Sequence, residues 1–143
     1  MMMKCLFFLL VVAATQAYVA KVAEVVPTPV ANRLDVFYSS SFQLALELGW
    51  IPVQNSANPI LGYKVSAFDQ GSTVSNDQSN VFKEVIVGAD ATSAQVEGIQ
   101  VGVWYLVRVQ AFTSTAISEM SPRWWIMLHP QTRDGKMMYS VMK

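Results

Sequence analysis

Residues that carry most enzyme chemistry are scarce in this sequence, which has one cysteine, Cys5, and one histidine, His129, among its 143 residues. Hydrolytic and metal-dependent sites need a nucleophile with its base, a carboxylate pair or a ligand cluster. His129 has no such partners in view, and we interpret it as an exposed side chain near the end of the chain. Asp69, Asp77 and Asp90 lie in turn-rich stretches without the dense oxygen spacing of a calcium loop. We therefore predict a protein that is not an enzyme and holds no metal or other cofactor.

An excess of positive charge is also missing. The sequence has 10 lysines plus arginines and 10 aspartates plus glutamates, so its formal net charge is zero. Nucleic acids and anionic membranes are recognised through clustered positive charge, and the composition predicts neither as a partner. The chain contains no Asn-x-Ser/Thr sequence either, so N-glycosylation is not expected.

A hydrophobic run long enough to span a membrane is the next absence. The run from Cys5 to Ala14 falls well short of the roughly 20 apolar residues that a spanning helix needs. A basic start before this run and small residues after it predict a signal peptide over residues 1–17, cleaved after Ala17; a retained signal anchor is the alternative. After cleavage the chain would be secreted, with no membrane-inserted segment and no thiol. A leader over residues 18–26 would then precede a domain that depends on its hydrophobic core rather than on disulfides.

Alternation of apolar and polar residues with a period of two dominates the sequence from about Pro27 onward. In "FQLALELGW" the alternate residues share one face, namely Phe42, Leu44, Leu46, Leu48 and Trp50. In "IQVGVWYLVRVQAF" the inward face holds Tyr105, Val107, Val109 and Ala111. Seven such strands, separated by turn-rich segments and without a helix between them, predict an all-β fold of two packed antiparallel sheets over residues 27–130. Residues 131–143 are predicted to form a C-terminal tail.

Five short motifs follow one another along this domain. Pro27 and Pro29 precede a Leu-x-Val strand, and a Trp-x-Pro and a Gly-Tyr-x-Val motif come next, formed by Leu34, Val36, Trp50, Pro52, Gly62, Tyr63 and Val65. A Leu-x-Pro-Gly-x-x-Tyr corner is then matched by Ile99, Gly102 and Tyr105, with Val101 in place of the proline. In this order the motifs resemble the fibronectin type III family. The resemblance implies a seven-stranded antiparallel immunoglobulin-like β-sandwich with Trp50, Tyr63, Val65, Ile99, Gly102, Tyr105, Val107 and Val109 as its structural core.

The candidate site lies on the outward face of the sixth predicted strand. Alternation that turns Tyr105 inward turns Trp104, Leu106 and Arg108 outward. The seventh predicted strand opens with an arginine and two tryptophans, one of which must face outward. We predict as partner-binding residues Trp104, Leu106, Arg108, Arg123, Trp124 and Trp125, with an arginine stacked on an exposed indole as one arrangement. The alternative is that one tryptophan fills the core edge while the leader or the tail covers the other.

The family resemblance implies a secreted, non-catalytic module that binds or adheres to another extracellular protein. It would use the outward strand face and the end loops, with help from the loop over residues 113–122. A structural spacer from a longer extracellular receptor or matrix protein is one alternative, and an accessory domain of a secreted enzyme is another. A fold alone does not separate these functions.

Overall fold

A computed structural model describes residues 23–143, so the predicted signal peptide and the start of the predicted leader lie outside the described residues. In the described part of the chain the regular structure consists of eight strands: β1 (Val30–Tyr38), β2 (Leu44–Ile51), β3 (Gly62–Gly71), β4 (Val81–Gly88), β5 (Ser93–Glu97), β6 (Trp104–Phe112), β7 (Trp124–Leu128) and β8 (Tyr139–Met142). No helix among these residues is long and apolar enough to cross a membrane. The prediction of an all-β fold is confirmed.

Two antiparallel sheets make up the domain. One sheet has the strand order β1-β2-β5, and the other has the order β4-β3-β6-β7-β8. The chain therefore crosses between the sheets after β2, after β4 and after β5, which is the connectivity of an immunoglobulin-like sandwich. The predicted two-sheet packing is confirmed.

The eighth strand comes from the predicted tail, so the predicted count of seven strands is one too low. After β7 the chain turns through Gly135, whose φ of 76° lies in the left-handed region, and returns as β8. The amide of His129 donates to the carbonyl of Met138 at 2.8 Å and closes this hairpin. Strand β8 pairs with Trp125 to Leu128. It thereby covers part of an edge that would otherwise present unpaired amides and carbonyls.

Apolar residues facing inward from both sheets form one core. Seven of the eight predicted core residues are at most 4% exposed, and the eighth, Gly102, is exposed at a turn. The rings of Trp50 and Tyr63 lie 5.1 Å apart between centroids, and the Tyr63 hydroxyl accepts a hydrogen bond from the amide of Val53 at 2.9 Å. Trp50 thus fills the middle of a core that has no disulfide to support it.

The alternation of the second predicted strand does not extend to Phe42, which we placed on the core face. Strand β2 begins at Leu44, and the Phe42 side chain is 89% exposed. The Phe42 amide donates to the Ser39 carbonyl at 2.9 Å, so this residue belongs to the turn after β1. Its φ of 61° is unusual for a bulky residue and reverses the direction of the chain before pairing starts.

A tyrosine corner joins the two sheets ahead of β6. The Tyr105 hydroxyl accepts a hydrogen bond from the amide of Gln100 at 2.8 Å, and burial raises the pKa of this hydroxyl. Gly102 adopts a φ of 79° that glycine tolerates well. Its amide donates to the Leu128 carbonyl at 2.8 Å. The corner is therefore complete with Val101 in the position where the family has proline.

Two buried serines take the place of a regular ladder in the connection from β6 to β7. The hydroxyls of Ser118 and Ser121 accept hydrogen bonds from the amides of Ala111 and Val109, each at 2.9 Å. The two serine amides in turn donate to the carbonyls of the same two β6 residues, at 2.8 and 2.9 Å. Strand pairing resumes only at Trp124, after Pro122, which has no amide to donate.

Candidate partner-binding surface

The register between β6 and β7 determines which of the predicted site residues share a face. Trp124 pairs with Val107, and Trp125 pairs with Leu106. Because Val107 belongs to the core cluster, Trp124 faces inward and Trp125 faces outward. Trp125 therefore lies on the same face as Trp104, Leu106 and Arg108, which we call the outer face of the five-stranded sheet.

Leu106 points to this outer face but is not accessible there. Leu106 is 0% exposed, and its β3 neighbour Phe68 is 3% exposed. The indole Nε1 of Trp125 donates to the carbonyl of Ser75 at 2.9 Å, so the loop between β3 and β4 reaches across the outer face. The Gln70 side chain holds this loop by accepting hydrogen bonds from the amide and hydroxyl of Ser75, at 3.1 and 2.7 Å. The prediction of Leu106 as a partner-binding residue is wrong for this conformation, because the domain's own loop shields it.

The prediction of Trp124 as a partner-binding residue is also wrong. It is 8% exposed and lies in the core cluster with Ile126. The ammonium of Lys143 lies 4.3 Å from the centroid of its ring and covers the remaining edge. Trp124 therefore fills the core edge, as the alternative stated from the sequence has it for one of the two tryptophans. The tail residue Lys143 covers this same tryptophan, whereas that alternative had the leader or the tail cover the other one. The other, Trp125, is half-buried and is held by the β3–β4 loop.

Arg108 and Arg123 lie side by side on the outer face. Arg123 immediately precedes Trp124, the partner of Val107, and so comes next to Arg108 where the β6–β7 connection enters β7. Burial lowers the pKa of the Arg108 guanidinium, and the neighbouring charge of Arg123 lowers it further. Among residues 23–143 neither guanidinium has a carboxylate within 4.0 Å; the ion pairs there involve Arg33 and Lys64. Two like charges therefore stand together without a counter-ion.

The predicted stacking of an arginine on an indole does not form among these residues. Arg108 instead donates from Nε to the Ser121 carbonyl at 2.8 Å and from Nη2 to the Met120 carbonyl at 3.3 Å. These two bonds hold the guanidinium plane over the β6–β7 connection and away from the rings. Arg123 is exposed, and Trp104 is partly exposed. The accessible part of the predicted site thus consists of Arg108, Arg123, Trp104 and Trp125.

Sequence reasoning missed the role of Glu24, which we assigned to the leader. Its Oε2 accepts hydrogen bonds from the hydroxyls of Thr115 and Thr113, at 2.5 and 3.1 Å. These bonds, together with one from Asn58, lower the pKa of the Glu24 carboxyl. Two residues later Val26 is 4% exposed and belongs to the core. Residues 24–26 are therefore part of the domain, and no local pattern in the sequence indicates a contact made across 91 positions.

Acidic residues are concentrated at one end of the sandwich, where residues 23–29 meet the loops that follow β2, β4 and β6. We call this end the acidic pole. A cavity of about 450 Å³ opens there between residues 24–28 and residues 117–119. Glu24, Asp90 and Glu119 occur in these segments, and their one basic residue is Arg123, at the β7 end of the β6–β7 connection. No group of three histidine, cysteine, aspartate or glutamate side chains in the described residues could hold a metal ion. The acidic pole and the arginine pair thus give the domain two surfaces of opposite charge.

Comparison with known proteins identifies the family. A family model for the fibronectin type III domain matches residues 40–123, which is more than half of the chain. The chain belongs to the fibronectin type III family. The solution structure of the third fibronectin III domain of the human KIAA0343 protein is similar, with a TM-score of 0.52 and 17% identity, over 71% of this chain and 82% of that chain. The crystal structure of the chicken CNTN1 FN1–FN3 domains is similar with a TM-score of 0.50 and 21% identity, over 68% of this chain.

These likenesses establish the fold. This chain spans 29% of the chicken three-domain chain, and no curated protein matches it. Fibronectin type III domains are typically non-catalytic and commonly serve as binding or spacer modules in extracellular and cell-surface proteins. The resemblance stated from the sequence motifs is confirmed. The β7–β8 hairpin after Arg123 and the docked segment before β1 both lie outside the matched residues.

Proposed function

We propose that this fibronectin type III domain is a secreted, non-catalytic module that binds another extracellular protein through the outer face of its five-stranded sheet. The observation that carries the proposal is the arginine pair. Arg123 immediately precedes β7 rather than pairing within it, but its charge acts on Arg108 and the two guanidinium groups repel each other, so their proximity is more readily explained by recognition than by stability. A half-buried tryptophan beside them supplies the kind of rigid apolar contact that is enriched at protein interfaces.

The arrangement favours binding over the spacer function. A spacer needs a stable sandwich with inert faces, and a second guanidinium placed beside Arg108 without a counter-ion does not add to that stability. An accessory role beside a catalytic domain is compatible with the same surface, because such a domain would itself be a protein partner. The proposed partner is an extracellular protein, and neither nucleic acid nor a membrane is proposed.

Secretion is tested by expressing the full chain in cultured cells and analysing the medium by intact-protein mass spectrometry. We expect a product that begins at Tyr18, because the predicted signal peptide ends at Ala17. A chain that stays in the cell membrane with Met1 attached would support the signal-anchor alternative and would overturn the secreted assignment.

Partner binding is tested with a photo-reactive amino acid at Pro122, which is exposed beside Arg123, and with the same group at Asn32 on the opposite sheet as the matched control. We expect a protein adduct from the first position only, in medium conditioned by the source tissue. The captured protein, once purified, should bind the wild-type domain, and Arg123→Ala should weaken this binding. If neither position yields an adduct, or if the purified protein binds both forms equally, the binding function at this surface is refuted and the spacer function is favoured.

A further inference from the structure

We propose that Arg108 and Arg123 together form a subsite for a side-chain carboxylate of the partner protein, held beside the indole of Trp125. This inference rests on the proposed function and names the chemistry of the group that the surface recognises. The partner would present an aspartate or glutamate flanked by apolar residues.

The positions of the two arginines provide the first argument. Arg108 lies on β6 and Arg123 immediately precedes β7, and the β6–β7 connection lies close enough for Arg108 to donate to two of its carbonyls. These bonds use two of the five guanidinium N–H groups and fix the plane, while the other N–H groups remain available. A guanidinium already held in place loses less conformational entropy when it binds a carboxylate.

The distribution of acidic residues provides the second argument. Two cations elsewhere on the domain have carboxylate partners: Arg33 contacts Asp35 at 3.1 Å, and on the same outer face Lys64 contacts Glu84 at 3.7 Å. The exposed Arg133 and Lys136 of the β7–β8 loop have none within 4.0 Å among the described residues, but they do not lie beside a second arginine on a sheet face. The described residues offer the arginine pair no such carboxylate within 4.0 Å. A carboxylate that bridges both guanidinium groups would supply the missing counter-charge and remove their mutual repulsion.

A buried hydroxyl beside Arg108 provides the third argument. Ser66 stands opposite Arg108 in the β3–β6 register and is 1% exposed. Its Oγ has no hydrogen-bond partner among the described residues. A buried polar atom without a partner is costly in a folded protein and often marks a site that another group completes. Ser66 is as inaccessible as Leu106 in this conformation, so its hydroxyl becomes a third donor to a bound carboxylate only when the side chains that cover it move.

The surroundings favour a protein carboxylate over a sulfated polysaccharide. A polyanion binds along a row of cations, and its affinity grows with the number of charges neutralised. Only two cations stand together here, in a chain of zero net charge. Trp125 lies beside them on the outer face, and Trp104 lies farther along β6. The acidic pole around Glu24 and Glu119 would repel an acidic partner and so favours its approach to the outer face.

The test uses the ¹⁵N-labelled domain in solution and two matched peptides, acetyl-Leu-Glu-Leu-Glu-Leu-amide and its analogue with glutamine in place of glutamate. We expect the glutamate peptide to cause saturable shifts of the Arg108 and Arg123 Nε–H signals and of the Trp125 indole N–H signal, which weaken as salt is raised. The glutamine peptide should cause none. Saturable binding of both peptides with equal affinity, or of neither, overturns the carboxylate assignment.

Variants and a second ligand class complete the design. Arg123→Gln should weaken binding of the glutamate peptide about tenfold, since it removes one charge-assisted donor set. Arg123→Lys should retain part of the affinity, and Arg133→Gln, an exposed site in the β7–β8 loop, should leave it unchanged. An equal loss of peptide affinity in Arg133→Gln overturns the proposed carboxylate subsite, because it indicates non-specific electrostatic attraction. Tighter binding of a heparin-derived hexasaccharide than of the peptide overturns the choice of a protein partner.

The two proposals fail separately. If the crosslinking experiment identifies a partner whose binding requires Trp125 but the glutamate peptide causes no saturable shift, the protein-binding function stands and the carboxylate subsite is rejected. If the peptide binds as expected but crosslinking yields no protein, the arginine pair binds a carboxylate, and the secreted protein-binding function is rejected.

Discussion

Ser121→Ala removes the hydroxyl that accepts a hydrogen bond from the amide of Val109 at 2.9 Å. Ser121 is 0% exposed, so no water reaches the orphaned amide without local opening. A buried donor left without an acceptor costs about 1–3 kcal/mol, whereas the loss of one oxygen atom leaves only a small void. We therefore expect Ser121→Ala to lower the free energy of unfolding by about 2 kcal/mol, a large fraction of the roughly 5–15 kcal/mol by which domains are stable.

Urea unfolding followed by tryptophan fluorescence measures this change, and the midpoint should fall by about 1 M. Native-state hydrogen exchange should show that the Val109 amide loses more protection than its neighbours on β6. Ser114→Ala makes the same chemical change at an exposed position in the same connection and should stay within about 0.5 kcal/mol of wild type. If both variants lose the same stability, or if Val109 keeps its protection, the hydroxyl is not the acceptor that completes the ladder.

Three further predictions follow from the corner, the outer face and the docked N-terminal segment. Tyr105→Phe removes the acceptor for the Gln100 amide and should cost about 1–2 kcal/mol in thermal unfolding. Leu106→Ala, at a residue 0% exposed, should cost about 2–5 kcal/mol and should perturb the Trp125 indole signal. Hydrogen bonds lower the pKa of the Glu24 carboxyl in the folded state. The ionised carboxylate therefore stabilises the fold fully above the ordinary pKa of 4.5, and this stabilisation is lost as pH falls through the lowered pKa. Wild type should therefore be more stable than Glu24→Gln at about pH 7, and the difference in stability should shrink as pH falls through the lowered pKa.

Matched variants decide each of these cases. Tyr139→Phe and Ile86→Ala change exposed residues and should have little effect, so equal losses there would contradict the roles given to the corner hydroxyl and to the loop over Leu106. Glu119→Gln removes a carboxylate at the same pole. A pH dependence that disappears in this variant but persists in Glu24→Gln would contradict the assignment to Glu24.

The sandwich and its core could be predicted because burial in a sheet repeats every two residues. That period identified the inward face of β6, and the family motifs supplied the order of the strands. Trp50 and Tyr105 are 2% and 1% exposed, as expected for the residues that carry the strongest motifs. A local period and a local motif are both contained in a short stretch of sequence, so no distant contact is needed to interpret them.

The candidate site was harder to predict because accessibility depends on contacts between distant segments. Alternation places Leu106 on the outer face but cannot show that Ser75, in another loop, accepts a hydrogen bond from the Trp125 indole. Alternation alone could not show which of Trp124 and Trp125 faces inward, because their directions are fixed by the pairing of Trp124 with Val107. Strand β8 escaped prediction for a related reason: four residues are too few to show a period, and their pairing partner lies across a loop.

The antiparallel return of β8 has a mechanical consequence. Tension applied between the N-terminal segment and Lys143 would load the β7–β8 hydrogen bonds from their open end, one pair at a time, rather than in shear. Residues 129–143 would then peel away first and release about 50 Å of extended chain. The tyrosine corner and the seven remaining strands would bear load only after this extension, so the domain would lengthen under weak force while its sandwich stayed folded.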